Sequence, residues 1–196
     1  SRDFEVTRTS SPVIWLFTPL GPSSRIIFVI FFAISWVRPS LSAPASQTTA
    51  LAVRHQCGTA EQEATRAAYH AAGVQAQVTP FIDDMAAAYA WADLVVCRAG
   101  ALTLAEICAA GVASVLVPLP SAADDHQTFN AEYLVAQGAA VRVSEGEHFT
   151  QRLGEAIAQL AADPALRLQR ALAARAAARP AAARDVVEAI LQEARA

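Results

Sequence analysis

Leu94-Val95-Val96-Cys97-Arg98-Ala99-Gly100-Ala101-Leu102-Thr103-Leu104-Ala105-Glu106 decides the fold of this chain. Four apolar residues in a row read as a strand buried on both faces. A turn of small residues follows, and Thr103 to Ala110 then reads as a helix closed by Gly111 as a left-handed C-cap. Strand, short turn and helix, repeated along a chain, mark a parallel sheet covered by helices.

The text on either side repeats that order. Ala52-Val53-Arg54-His55 reads as a strand ending, and Thr59 to Ala72 as a helix stopped by Gly73. Val74 to Val78 alternates apolar and polar residues, as a half-buried strand near a sheet edge does. Asp83 and Asp84 offer capping carboxylates to an Ala-rich helix running through Trp91. Ser114 to Val117 is a strand stopped by Pro118, His126 to Ala136 a helix ending at Gly138, and Ala140 to Val143 a strand. Beyond Thr150 the pattern is helical only: Leu153 to Ala161, Pro164 to Arg179, and Ala181 to Ala196 after the break at Pro180. Leu166, Leu168, Leu172, Val186, Val187, Ile190 and Leu191 give the last two helices an apolar face, expected to pack at a domain edge.

Composition breaks near residue 50, since five of the eight Phe and two of the three Trp precede it and Ala dominates afterwards. The apolar run Ile26 to Val37 is shorter than the ~18–20 residues a membrane-spanning helix needs. Pro19, Gly21 and Pro22 interrupt it upstream. It reads as a buried strand, a sticky disordered arm or, less readily, an interfacial anchor. It does not read as a signal peptide, because it lies late and the chain opens on Ser1. The division expected is therefore 1–50 as an irregular N-terminal segment and 51–196 as an α/β domain. A net charge of −3 supplies no basic field for nucleic acid. Cys57, Cys97 and Cys108 have no metal-type spacing and read as small buried residues of a reducing compartment, with neither disulfide framework nor zinc site.

Three loop-to-helix junctions carry the candidate chemistry: Phe81-Ile82-Asp83-Asp84-Met85, the turn Arg98 to Thr103 with Glu106 beyond it, and Asp124-Asp125-His126-Gln127-Thr128-Phe129-Asn130. Each follows a strand, where an open α/β sheet holds its ligand. The turn before Thr103 exposes helix N–H groups that suit an anionic or hydroxyl-rich ligand. Glu106 has two readings: a capping-box partner of Thr103, or a carboxylate accepting the hydroxyls of a ribose. Gln127 offers donor and acceptor together, as sugar hydroxyls require. Asp124 and Asp125 read as helix N-terminal carboxylates rather than a catalytic pair.

These motifs, with His55-Gln56-Cys57-Gly58 after an earlier strand, resemble the C-terminal half of glycosyltransferase family 28, the bacterial peptidoglycan enzymes that add N-acetylglucosamine to lipid I. The resemblance covers Val53 to Asn130 and, more loosely, the remainder. It implies a Rossmann-like parallel sheet with helices on both faces, one half of a GT-B glycosyltransferase. It also implies an inverting, UDP-GlcNAc-dependent hexosyl transfer that makes lipid II, at the cytoplasmic face of the inner membrane and without metal or cofactor. Carried over by position, the Ile82 backbone would meet the uracil. Ala101, Leu102, Thr103, Leu104, Ala105 and Glu106 would line the donor, with Glu106 on the ribose, and His126 and Gln127 would meet the sugar.

The family's N-terminal domain, which binds the lipid I acceptor with a Gly-rich loop that grips its pyrophosphate and is expected to hold the general base, has no counterpart here. Nothing in residues 1–50 resembles the Gly-Gly-Ser-x-Gly-Ala loop that the resemblance would place on the donor phosphates, some tens of residues before His55. That stretch is expected to be a frame-shifted translation or a fusion arm, and the isolated chain to have little transferase activity. One alternative is a non-catalytic donor-binding subunit that docks to a separate acceptor-domain partner. Another is a different nucleotide-sugar enzyme of the same architecture, such as an epimerase.

Overall fold

The computed structural model describes the path of residues 25–29 and the structure of residues 52–120 and 125–194. Among these residues six strands form one sheet: β1 Arg25–Val29, β2 Ala52–Gln56, β3 Ala76–Thr79, β4 Leu94–Cys97, β5 Ala113–Leu116 and β6 Ala140–Arg142. Their order is β3-β2-β1-β4-β5-β6 and each neighbouring pair is parallel. The connecting helices are α1 Gln62–Ala71, α2 Met85–Trp91, α3 Ala101–Ala110 and α4 His126–Ala136, followed by α5 Phe149–Ala162, α6 Pro164–Ala176 and α7 Ala182–Glu193.

Strand β4 is buried on both sides because its side chains alternate between two cores. Val95 and Cys97 face a cluster with Tyr89 of α2, Ile107 of α3, Leu134 of α4 and Ala174 of α6. Leu94 and Val96 face the opposite cluster, with Leu153, Ile157 and Leu160 of α5. Helices thus cover both faces, as the continuous apolar text of β4 demands. The winding runs from β1 to β2 and β3 on one side, then returns past β1 to β4. The carboxyl ends of β1 and β4 therefore flank the point where strand order reverses, and ligands of such sheets bind beside that reversal.

Most local signals act as read. Asp84 caps α2, its carboxylate accepting the Ala87 N–H at 2.8 Å. Asp163 caps α6 in the same way through Leu166 N–H, with Pro164 in the first turn. Gly111 closes α3 at φ 67°, and β3 is an edge strand. Other readings need correction, among them the start of α3, which lies at Ala101 rather than Thr103 because Gly100 is its N-cap. Helix α1 starts at Gln62, three residues after the expected Thr59, because Thr59 to Glu61 form a turn that precedes it. The apolar face of the last helices is only partly packed. Leu166 joins the α5-side core, whereas Leu168, Leu172, Val186, Val187, Ile190 and Leu191 are exposed and α7 buries no residue.

From the stretch set apart by composition, Arg25 to Val29 form β1, hydrogen-bonded between β2 and β4 in the middle of the sheet. The rest of Ile26 to Val37 lies outside the described residues, as do the end of the last helix at Ala196 and Asp124. No helix among the described residues is long and apolar enough to cross a membrane.

Beside β1, on β2, His55 accepts or donates a 3.1 Å hydrogen bond at Nδ1 with the Tyr69 hydroxyl of α1, the rings meeting edge to face. Burial pushes His55 down to about 4 from 6.5 and pushes the Tyr69 phenol up. Unfolding therefore takes up a proton between those pH values. The stability conferred by a neutral His55 is complete above pH 6.5 and declines as pH falls toward 4. Between pH 7 and 4.5, urea titrations should show wild type losing on the order of 2–3 kcal/mol relative to His55→Phe, which keeps the ring and removes the titration. Parallel pH profiles for the two proteins would contradict it.

Candidate functional site

The turns after β2, β3, β4 and β5 all emerge at the carboxyl edge of the sheet, and side chains bind them to one another. Gln56, the last residue of β2, is 2% exposed, and its Oε1 accepts the Ile82 N–H at 2.8 Å. The Cys57 and Gly58 amides donate to the Thr79 and Pro80 carbonyls, closing the β2 turn onto the β3 turn. Ile82 is half-buried against the α2–α3 core while Phe81 beside it is exposed. The Ile82 amide is thus committed to Gln56, and its carbonyl is the backbone group left to a ligand at that residue.

After β4, Gly100 serves as the N-cap of α3 at φ −68°, ψ 142°. A Cβ added there would meet Thr103 Oγ1 at an ordinary 3.8 Å. Neither the backbone nor the neighbouring atoms require glycine at this position, and its missing side chain leaves the surface before α3 open. Thr103 falls inside the first turn of α3, so the capping-box reading of Thr103 and Glu106 is incorrect. Glu106 instead projects from the second turn, exposed, with Oε2 accepting the Tyr89 hydroxyl at 3.0 Å. Burial, then the hydrogen bond and charge of Glu106, raise the Tyr89 phenol. Burial, with a contribution from Glu106, pushes the Cys97 thiol up to about 12, so it is no nucleophile. Tyr89 fixes one oxygen of Glu106 and leaves the other to accept from a ligand.

The α3 residues divide by direction. Ala101, Leu102 and Ala105 are exposed, Leu102 at 82%, and Thr103 is half-buried. Leu104 is 7% exposed and packs in the core, so its side chain cannot line an open site.

Helix α4 supplies the third junction. Gln127 Oε1 accepts two backbone amides, Ala99 N–H at 3.2 Å and Leu119 N–H at 3.0 Å. Two donors at one atom identify it as the oxygen, so the amide nitrogen is the donor of this side chain. One turn later, Asn130 Nδ2 donates to the Ala99 carbonyl at 3.0 Å. His126 is exposed beside Gln127. Asp125, at φ 55°, makes no side-chain cap to the backbone and accepts the Thr128 hydroxyl at 2.6 Å.

Ile82, Glu106 and Gln127 therefore lie on one connected edge. The β3 turn leads through α2 and Tyr89 to Glu106, and α3 leads back through Gly100 and Ala99 to Gln127. A groove of about 760 Å³ runs along the flank of α3, walled by Ala105, Cys108, Phe129, Tyr133 and Pro180. It reaches the edge at Ala101 and Asn130 and contains none of the three, so Ile82, Glu106 and Gln127 lie beside it. Gln56, Arg98 and Asn130, which stand in the quoted motifs without a role of their own, and Tyr89 are supporting residues. Gln56 and Arg98 are marked by adjacency to a strand end and Asn130 by one-turn spacing from Gln127, whereas nothing local marks Tyr89.

Fold and edge place the chain among open parallel α/β proteins that bind ligands beyond the carboxyl ends of their strands. The chain belongs to glycosyltransferase family 28, whose C-terminal domain matches residues 36–187. It is 61% identical over 142 residues to the UDP-N-acetylglucosamine--N-acetylmuramyl-(pentapeptide) pyrophosphoryl-undecaprenol N-acetylglucosamine transferase of Xanthomonas axonopodis, covering 72% of this chain and 33% of that protein. It is 57% identical over 144 residues to the enzyme of the same name from Xylella fastidiosa, covering 74% of this chain and 39% of that protein. The crystal structure of Acinetobacter baumannii MurG superposes with a TM-score of 0.73 at 39% identity, over 89% of this chain and 52% of that one. A kitacinnamycin glycotransferase, at 20% identity and a TM-score of 0.52, shares the fold. The chain spans about a third of the length of the curated relatives it matches.

Because Gln127 joins two turns by their backbone amides, Gln127→Leu should cost about 1–3 kcal/mol in urea denaturation. Gln127→Glu, which keeps an acceptor there, should cost less. Unchanged stability in Gln127→Leu would show that the amide oxygen is solvated instead.

Proposed function

We propose that this chain is the donor-binding half of an inverting transferase that moves N-acetylglucosamine from UDP-GlcNAc to lipid I, forming lipid II for peptidoglycan synthesis. The observation that carries the reading is the connected edge of Ile82, Glu106 and Gln127. One backbone carbonyl suits an N–H donor of a uracil, one oriented carboxylate suits the paired hydroxyls of a ribose, and one fixed amide donor suits a sugar oxygen. Family membership and the names of the relatives support the same ligand. Residues 51–196 act as the donor domain, with β1 drawn from the preceding segment. Ala101, Leu102, Thr103 and Ala105 border the donor, Leu104 contributes only backbone, and His126 assists Gln127.

In the transfer, the 4-hydroxyl oxygen of the muramoyl sugar attacks the anomeric carbon from the face opposite UDP. The bond from that carbon to the UDP oxygen breaks as a base removes the hydroxyl proton. The part assigned to this chain is to hold UDP-GlcNAc and to oppose the charge growing on the leaving pyrophosphate with the N-terminus of α3. The acceptor site and the base belong to the portion of the longer relatives that this chain does not span. The proposed place of work is the cytoplasmic face of the inner membrane, as a peripheral protein.

A second reading is favoured by the exposed apolar face of α7: the chain is a non-catalytic donor-binding subunit that joins a separate acceptor-domain protein. Co-purification of such a partner supports it, whereas an acceptor domain encoded in the same reading frame opposes it.

The test of the donor site is calorimetric titration of UDP-GlcNAc against wild type and Glu106→Ala. Loss of the ribose contacts should weaken binding by about 1–3 kcal/mol. Equal affinity in the two proteins removes Glu106 from the site, and no binding by wild type removes the reading.

A further inference from the structure

We propose that Arg98 is a positioning residue of the donor site, acting with Glu145 to hold the turn from which α3 begins. The inference rests on the functional reading above and adds residues outside the ligand-contacting set. Arg98 is the first residue after β4, with its side chain 16% exposed. Its Nη1 donates to the Val117 and Pro118 carbonyls, each at 3.3 Å, and lies 2.6 Å from Glu145 Oε1. One guanidinium thus joins the turns that follow β4, β5 and β6, the three strands on one side of the reversal.

Gln127 and Asn130 tie the same first two turns together through Ala99 and Leu119. The backbone of Ala99 and Gly100 is consequently held by contacts from α4 and by its neighbour Arg98. It is this backbone that sets where the amides at the start of α3 point. A nearly buried charge is costly to keep, and apolar packing would hold three turns together at least as well. All three contacts fall on Nη1, at the end of a side chain longer than that of lysine, whose ammonium would stop short of that position.

The molecule contains a control of the same chemical kind. Arg170 on α6 donates through Nη1 to the Gly138 and Ala140 carbonyls at 3.3 and 3.1 Å. Those carbonyls lie where the chain enters β6, at the sheet edge opposite the site. Arg170 braces backbone as Arg98 does, without reaching the turn that opens α3.

The start of α3 and Gln127 face the pyrophosphate and hexosamine of the donor, while Ile82 and Glu106 face the nucleoside. Disturbing Arg98 should therefore weaken binding of the donor's distal part selectively. The experiment titrates uridine monophosphate and UDP-GlcNAc against wild type, Arg98→Lys, Glu145→Gln and Arg170→Lys, with a thermal melt of each. The expected result is a loss of about tenfold in UDP-GlcNAc affinity for Arg98→Lys and Glu145→Gln, with uridine monophosphate affinity changed less than about twofold. Arg170→Lys should lower the melting temperature and leave the ratio of the two affinities as in wild type. Glu145→Gln alters a more exposed side chain, and it decides the matter if Arg98→Lys does not fold.

A ratio unchanged in Glu145→Gln overturns the inference and leaves the functional reading standing. So does an equal loss for both ligands, or the same ratio change in Arg170→Lys. Failure of wild type to bind either ligand overturns both.

Discussion

A parallel strand order that reverses direction beside β1 governs this molecule. Parallel strands place all their carboxyl ends at one edge, and the reversal sends the flanking connections to opposite sides, opening a crevice between them. Strand β4 must then be apolar on both faces, since α2, α3, α4 and α6 cover one side and α5 the other. The turns leaving β3, β4 and β5 have no freedom to scatter. Polar residues at those strand ends meet because the sheet is parallel, although they are distant in sequence.

Holding the turns in register falls to side chains that bond to backbone. Gln56 takes the Ile82 amide, Gln127 takes those of Ala99 and Leu119, and Asn130 and Arg98 engage carbonyls of the same turns. Neutral bonds of this kind are each worth about 0.5–1.5 kcal/mol net, but an orphaned buried amide costs more. A turn bonded at both its amide and its carbonyl presents its remaining groups in a fixed direction. In the proposed reading, that direction serves a ligand whose binding groups are spread over a base, a ribose and a hexosamine. Glu106 illustrates the division of labour: one oxygen satisfies Tyr89 and the other is available to a ligand.

Much of this arrangement was legible in the sequence because the relevant signals are local. The apolar run Leu94 to Cys97 could only be an interior strand, Gly111 could end a helix at positive φ, and Asp84 and Asp163 could cap. Less local features were harder to read. Arg25 to Val29 forms the central strand although proline- and serine-rich text surrounds it, because partners on both sides supply what its flanks lack. The Thr103–Glu106 spacing fits a capping box and a mid-helix ligand residue equally well, and only the extended backbone of Gly100 separates them. Helical periodicity in α7 revealed an apolar face but could not say whether the face was covered. The bracing roles of Gln56 and Arg98 depend on contacts between residues 26 and 20 positions apart, which no pattern within a single element encodes.

The account stands on those three turns forming a single ligand surface. Its most direct test is to map amide shifts of the isotopically labelled chain during titration with UDP-GlcNAc. The predicted result is one saturating set of changes, grouped at Ile82, at Gly100 to Glu106, and at Gln127 with Leu119. Changes confined to the apolar groove beside Phe129 and Tyr133, with the three turns silent, would contradict it.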